Sequence, residues 1–151
     1  MPLSVRDVVG ILATNIARRG TPVSLPEEAA HGWAREAGLP KGGDTVIYTS
    51  LLYQMVPYTS RLVDRLSELE ATGAGALLRV GKVVSSMLDL SKLARVPPEE
   101  VERQREVLVT IARLLRESGV EPGYLYEDEL YAGTLLYDLG RDEDFLKQAR
   151  R

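Results

Sequence analysis

The sequence predicts an α/β fold, rich in helix, with a small parallel sheet, flanking helices and a helical N-terminal segment. Three observations carry that expectation. Apolar residues recur every three or four positions along most of the chain, the period of amphipathic helices. Two short runs, Val46-Ile47-Tyr48 and the segment 123–127, instead carry the β-branched and aromatic residues of strands. A long helical stretch separates these runs, and a strand–helix–strand crossover makes its strands parallel.

The elements follow in order. Ser4 and Asp7 resemble a capping box, and Val5, Val8, Val9, Leu12 and Ile16 share one helical face. Arg18 and Arg19 suit the negative end of that helix, and Gly20 stops it. A second helix is predicted over 24–38, with Pro26, Glu27 and Glu28 in its first turn and Ala30, Trp33, Ala34 and Ala37 inward. Pro40-Lys41-Gly42-Gly43 breaks the chain, which divides it into a helical connector (1–42) and an α/β domain (43–151). Val46-Ile47-Tyr48 reads as a buried strand. Pro57 opens the next helix, with Tyr58, Leu62, Leu66 and Leu69 inward. A helical insertion is expected over about 74–98, with Leu77, Val80, Val84, Met87 and Leu88 on one side. Pro97 and Pro98 open a long charged helix whose Val101, Leu108, Ile111 and Leu115 repeat at coiled-coil-like spacing, and Gly119 ends it. After the second strand come an acidic, aromatic loop over 128–133, a short helix over 134–139 stopped by Gly140, and a last helix over 142–150.

Composition excludes much chemistry. With 151 residues, 44% hydrophobic and 27% charged, the chain is globular and suits one ordinary core. A net charge of −3 gives no footprint for nucleic acid. Arg6 and Asp7 interrupt any secretory signal, and the apolar stretch 74–93 is broken by Arg79, Lys82, Asp89 and Lys92. Membrane insertion is therefore not expected, and the cytoplasm is the expected location. Zero cysteines removes disulfides, zinc–thiolate sites, thiol nucleophiles and thiolate-bound iron–sulfur clusters. The single histidine, His31, reads as structural and leaves no two-histidine metal site.

In an open α/β sheet, ligands bind beyond the carboxyl ends of the strands. The candidate cleft therefore joins Ser50, Leu51 and Tyr53 after the first strand to Glu127, Glu129, Tyr131 and Gly133 after the second. Thr49 and Asp128 adjoin it. On an extended segment Glu127 and Glu129 point the same way, so this pair can converge on a hard cation or serve acid–base chemistry. Solvated surface acids are the competing reading. Seven tyrosines against one phenylalanine suggest aromatic packing with hydroxyls on polar partners, or an aromatic contact surface.

Two segments resemble a known family. Val46-Ile-Tyr-Thr-Ser-Leu-Leu-Tyr-Gln-Met-Val-Pro-Tyr58 is similar to the first motif of the cysteine-rich CCG domain of heterodisulfide reductase subunits B and D and related iron–sulfur oxidoreductases, where a strand ends in Gly-Cys before a helix. Here that place falls on Ser50-Leu51. Gly119 to Gly140 resembles the strand that leads into Cys-Cys-Gly, whose place falls on Tyr131-Ala132-Gly133. Segment 15–22 and Trp33 resemble the helical connector that often precedes such domains. The middle of the chain departs from the pattern, and every ligand cysteine is gone. Only Gly133 matches a motif residue, and a tight turn is its implied role. The resemblance implies a degenerate, cysteine-free domain or N-terminal fragment with no catalytic, cofactor or metal residue of its own. It implies docking to a companion subunit or domain that carries [4Fe–4S] clusters, with self-association as a further option through the helical faces. The alternative is a cysteine-free small-molecule or metal-binding domain, enzymatic or not, that reuses the former cluster cleft.

Overall fold

The computed structural model describes residues 5–71 and 96–151. In chain order the elements are α1 (Val5–Arg19), α2 (Glu27–Glu36), β1 (Val46–Ile47), α3 (Leu52–Ala71), α4 (Pro98–Glu117), β2 (Gly123–Tyr124), a 3-10 turn (Tyr126–Asp128), α5 (Thr134–Asp138) and α6 (Asp142–Ala149). The chain is thus α/β and helix-rich, with a two-stranded parallel sheet. The helix expected within 74–98 falls on residues outside those described. Two compact units are present: a strand unit, Leu25–Tyr58 with Val96–Tyr131, and a terminal unit, Met1–Ser24 with Thr59–Arg95 and Ala132–Arg151.

In the strand unit, β1 pairs with β2 in parallel, Val46 opposite Gly123 and Ile47 opposite Tyr124. The pairing is short, and the preceding loop lengthens it. Tyr124 N donates to the Pro40 carbonyl and Gly42 N donates to the Tyr124 carbonyl, each at 2.9 Å. This close approach requires a glycine at 123: a Cβ there would lie 1.7 Å from the Gly42 carbonyl oxygen. The first strand is half-buried rather than buried, and Tyr48 has left the ladder, 53% exposed. Among the described residues β1 has one neighbouring strand, which covers one edge only. The second strand is also shorter than the run 123–127 suggests, because Tyr126 adopts φ 55° and starts the 3-10 turn.

Trp33, Ala34, Leu39, Leu108, Ala112 and Tyr124 form the core of this unit. The Trp33 and Tyr124 rings meet edge-to-face with centroids 4.8 Å apart. Burying side chains such as Trp33 and Leu108 contributes roughly 1.5–3 kcal/mol each. The seam of α4 is met in part by its own unit: α4 packs on α2, and Leu108 and Ala112 are buried between them. Arg116 on α4 donates to the Ala37 and Gly38 carbonyls at 2.5 and 2.8 Å, which satisfies orphan acceptors at the end of α2. A correction concerns Pro57. The helix begins at Leu52, five residues before it, so the proline sits inside α3. Its missing N–H deprives the Tyr53 carbonyl of a donor, and Tyr53 is itself exposed, 47%.

In the terminal unit, α6 packs on α1 and on α5. Ile16 and Leu136 are almost completely buried. Gly133 adopts φ 82° before α5, and a Cβ there would meet Gln148 Cγ at 3.0 Å. Gly20 (φ 82°) ends α1, its N–H donating to the Ile16 carbonyl at 2.8 Å.

Candidate functional site

The loop after β1 reverses the chain into α3 within three residues, Thr49 to Leu51. Ser50 and Leu51 both adopt left-handed backbone, φ 55° and 57°. For residues with a Cβ this costs roughly 1–2 kcal/mol each. The loop after β2 holds them there. Glu129, 4% exposed, accepts through Oε1 from Thr49 N at 2.7 Å, from the Thr49 hydroxyl at 2.6 Å and from Leu51 N at 3.4 Å. Hydrogen bonds to a charged acceptor contribute roughly 1.5–3 kcal/mol each, enough to offset the strain. The Thr49 hydroxyl in turn accepts from Gln54 Nε2 at 2.8 Å and from Leu51 N at 3.1 Å. Gln54 Nε2 also donates to the Ala30 carbonyl at 3.3 Å, which ties α3 to α2.

Tyr124 completes this polar centre from below. Burial and then the adjoining Glu129 carboxylate push its phenol far above the usual tyrosine value, so the hydroxyl keeps its proton. Trp33 Nε1 and Glu129 Oε2 are buried without a partner in hydrogen-bond geometry among the described residues, and the Tyr124 hydroxyl is the group that both adjoin. His31 Nδ1 lies 3.3 Å from the same hydroxyl. Burial holds the His31 imidazole below its ordinary value, against the opposing pull of Glu129.

The expected pairing of Glu127 with Glu129 is not made. The 3-10 turn breaks the alternation of an extended segment, so the two side chains part. Glu127 is exposed and receives Lys41 Nζ at 2.5 Å, and Asp128 receives it at 2.8 Å. The hydrogen bond from Lys41 holds the Glu127 carboxyl below the usual range, while Asp128 and then Glu127 raise the lysine. Ser50 and Leu51 are 5% and 6% exposed and Tyr131 is 3% exposed, so three of the cleft residues are packed shut. Tyr53 faces outward, and Gly133 belongs to the terminal unit. Sequence reasoning missed Gln54, Trp33 and Tyr124 as parts of this centre. Gln54 was the legible one: an amide one turn past the strand exit, on the same side of α3 as the apolar Tyr58.

The same segments of the strand unit also carry exposed apolar side chains. Tyr48, Leu52, Tyr53, Val56 and Leu130 are all exposed, from 37% to 53%. The Tyr48 hydroxyl donates to the Leu130 carbonyl at 2.8 Å, so the two strand exits touch there. Leu52, Tyr53 and Val56 share one side of the first turns of α3.

Ser50, Leu51 and Tyr131 offer no thiolate and are buried, and Leu51 and Tyr131 fill their places with bulk, so these residues do not fit an iron–sulfur cluster. Among the described residues no three His, Asp or Glu side chains group as a metal site, and no helix is long and apolar enough to cross a membrane. No family model, curated protein or solved structure matches the chain.

Proposed function

We propose that the chain is a non-catalytic docking domain of a heterodisulfide-reductase-like iron–sulfur oxidoreductase, whose [4Fe–4S] clusters reside in a companion domain or subunit. One observation carries this reading. Where the resembled family places its ligands the side chains are buried, while five large apolar residues near them in the chain, on the loops after the strands and in the first turns of α3, are exposed. Several exposed large apolar groups close in the chain are the raw material of a protein contact. The Glu129–Thr49 knot supplies the rigid base such a surface needs, since side chains on a strained but fully hydrogen-bonded loop are held before the partner arrives. The natural complex tests it. The chain, retrieved under native conditions from its own cells, is expected to bring a subunit that contains Cys-Cys-Gly and carries iron and acid-labile sulfide. A chain that elutes alone, or with partners lacking both, contradicts the proposal.

A second reading rests on the buried Glu129 Oε2, an acceptor without a partner among the described residues. A small molecule with a donor group answers that need if Leu51 and Tyr131, which pack the strand ends shut, move aside to admit it. Its test is whether native preparations release such a molecule on denaturation.

A further inference from the structure

The terminal unit contains a cavity of about 330 Å³ between α1 and α6. Its inner wall is apolar: Ala13, Ile16 and Leu136 are 7%, 1% and 2% exposed. Alanine at 13 and 17, where larger residues would fill the space between two helices, leaves the room. The rim is polar and carries more positive than negative charge, with Lys147 and Arg151 against Asp144.

Those two cations are weakly committed. The Asp144 carboxylate is taken chiefly by Arg141, whose Nε donates to Oδ2 at 2.6 Å, and Lys147 Nζ reaches Oδ1 only at 3.8 Å. Among the described residues Arg151 engages partners through one nitrogen, which donates to the Ile16 carbonyl at 3.4 Å and to Gln148 Oε1 at 3.3 Å. Both distances are at the outer edge of hydrogen bonding, and a guanidinium has five N–H donors. Ile16 O already accepts from Gly20 N, so the arginine is not needed to cap α1. Gln148, 5% exposed, puts a buried amide in the wall.

We infer that this cavity binds a small amphipathic carboxylate. Its tail lies against Ala17 and the narrow exposed edge of Ala13, over the buried Ile16 and Leu136, and its carboxylate sits between Lys147 and Arg151. A pocket of a few hundred Å³ with an apolar floor and a few convergent polar groups has the usual anatomy of a small-ligand site. A planar carboxylate is the ligand group that a guanidinium fork fits best. The site is independent of the docking surface: none of its lining residues belongs to the strand unit.

Hexanoate and hexylamine, which share a tail and differ in charge, are the probes. Titrated into the full chain and followed by amide NMR, hexanoate is expected to shift Ala13, Ile16, Leu136 and Gln148 saturably, with a Kd on the order of 1 mM or tighter, as suits so small a ligand. Lys147→Glu with Arg151→Glu should weaken it at least tenfold. Ala17→Leu should narrow the mouth and weaken it by a similar factor while thermal unfolding stays unchanged, which separates loss of the site from loss of the fold. Equal binding of hexylamine, saturable shifts elsewhere in the chain, or no saturable shift with either probe would overturn the inference.

Discussion

Two sets of side chains in and beside the strand exits differ in burial, and they do different work. The inner set, Thr49, Gln54, Tyr124 and Glu129, spends its hydrogen bonds on the chain itself: Glu129 alone takes two backbone N–H groups and a hydroxyl. The outer set, Tyr48, Leu52, Tyr53, Val56 and Leu130, has apolar surface left over. The contrast teaches that polar groups at the carboxyl end of a sheet can be taken up by the fold itself. Here their geometry secures a left-handed turn, and the exposed large side chains beside them are apolar.

Perturbing the inner set should cost stability. Gly123→Ala breaks the ladder beneath it, because the added methyl meets backbone rather than a movable side chain. A loss of about 3 kcal/mol or more is expected in urea unfolding, or no folded protein at all. A normal unfolding midpoint would mean that the Pro40–Gly42 loop does not lie against β2 as described. Next in size is Glu129→Ala, which strands the Thr49 backbone N–H and removes the strongest acceptor of the Thr49 hydroxyl. About 3 kcal/mol is expected, with Glu129→Gln losing less, since the amide oxygen still accepts. Equal stability of Glu129→Ala and the natural chain would remove the carboxylate from its structural role.

The pH dependence of the inner set is a finer probe. The folded state holds His31 below its ordinary value of 6.5, so the unfolded chain binds more protons there. The contribution is fully present above that ordinary value and is lost as pH falls through the lower folded value. Glu28 and Glu127, also lowered, act in the same direction at more acid pH, below their ordinary 4.5. The His31 share is the difference between the natural chain and His31→Asn. Stability of the variant should decline less over the window just below pH 6.5, and an identical decline would contradict the burial of the imidazole.

Some of this was legible in the sequence. The two strand runs and the helical stretch between them gave the parallel pair, and Gly20, Gly119, Gly133 and Gly140 all take the positive φ their places suggest. The errors have physical sources. A proline favours the first turn, but the left-handed pair at Ser50 and Leu51 had already turned the chain, so α3 could start before Pro57. Period-two reasoning joined Glu127 to Glu129 because nothing in Tyr126 advertises φ 55°. The seam of α4 has the same spacing whether it meets another chain or α2, so its partner was not readable from periodicity. The terminal cavity is made by what Ala13 and Ala17 lack, and a missing volume has no sequence signature until the helices are placed.

Val56→Asp separates the two sets most directly. Val56 is 45% exposed, so the substitution should change stability by no more than about 0.5 kcal/mol. In a docking surface a charge at this position is left desolvated and unpaired, so affinity for the proposed cluster-bearing companion should fall at least tenfold. The measurement is companion binding by the natural chain and by Val56→Asp, side by side, with unfolding curves for both. Unchanged unfolding with lost binding is the predicted result. Unchanged unfolding with undiminished binding would show that the outer apolar set is not where this domain meets its partner, and would contradict the account.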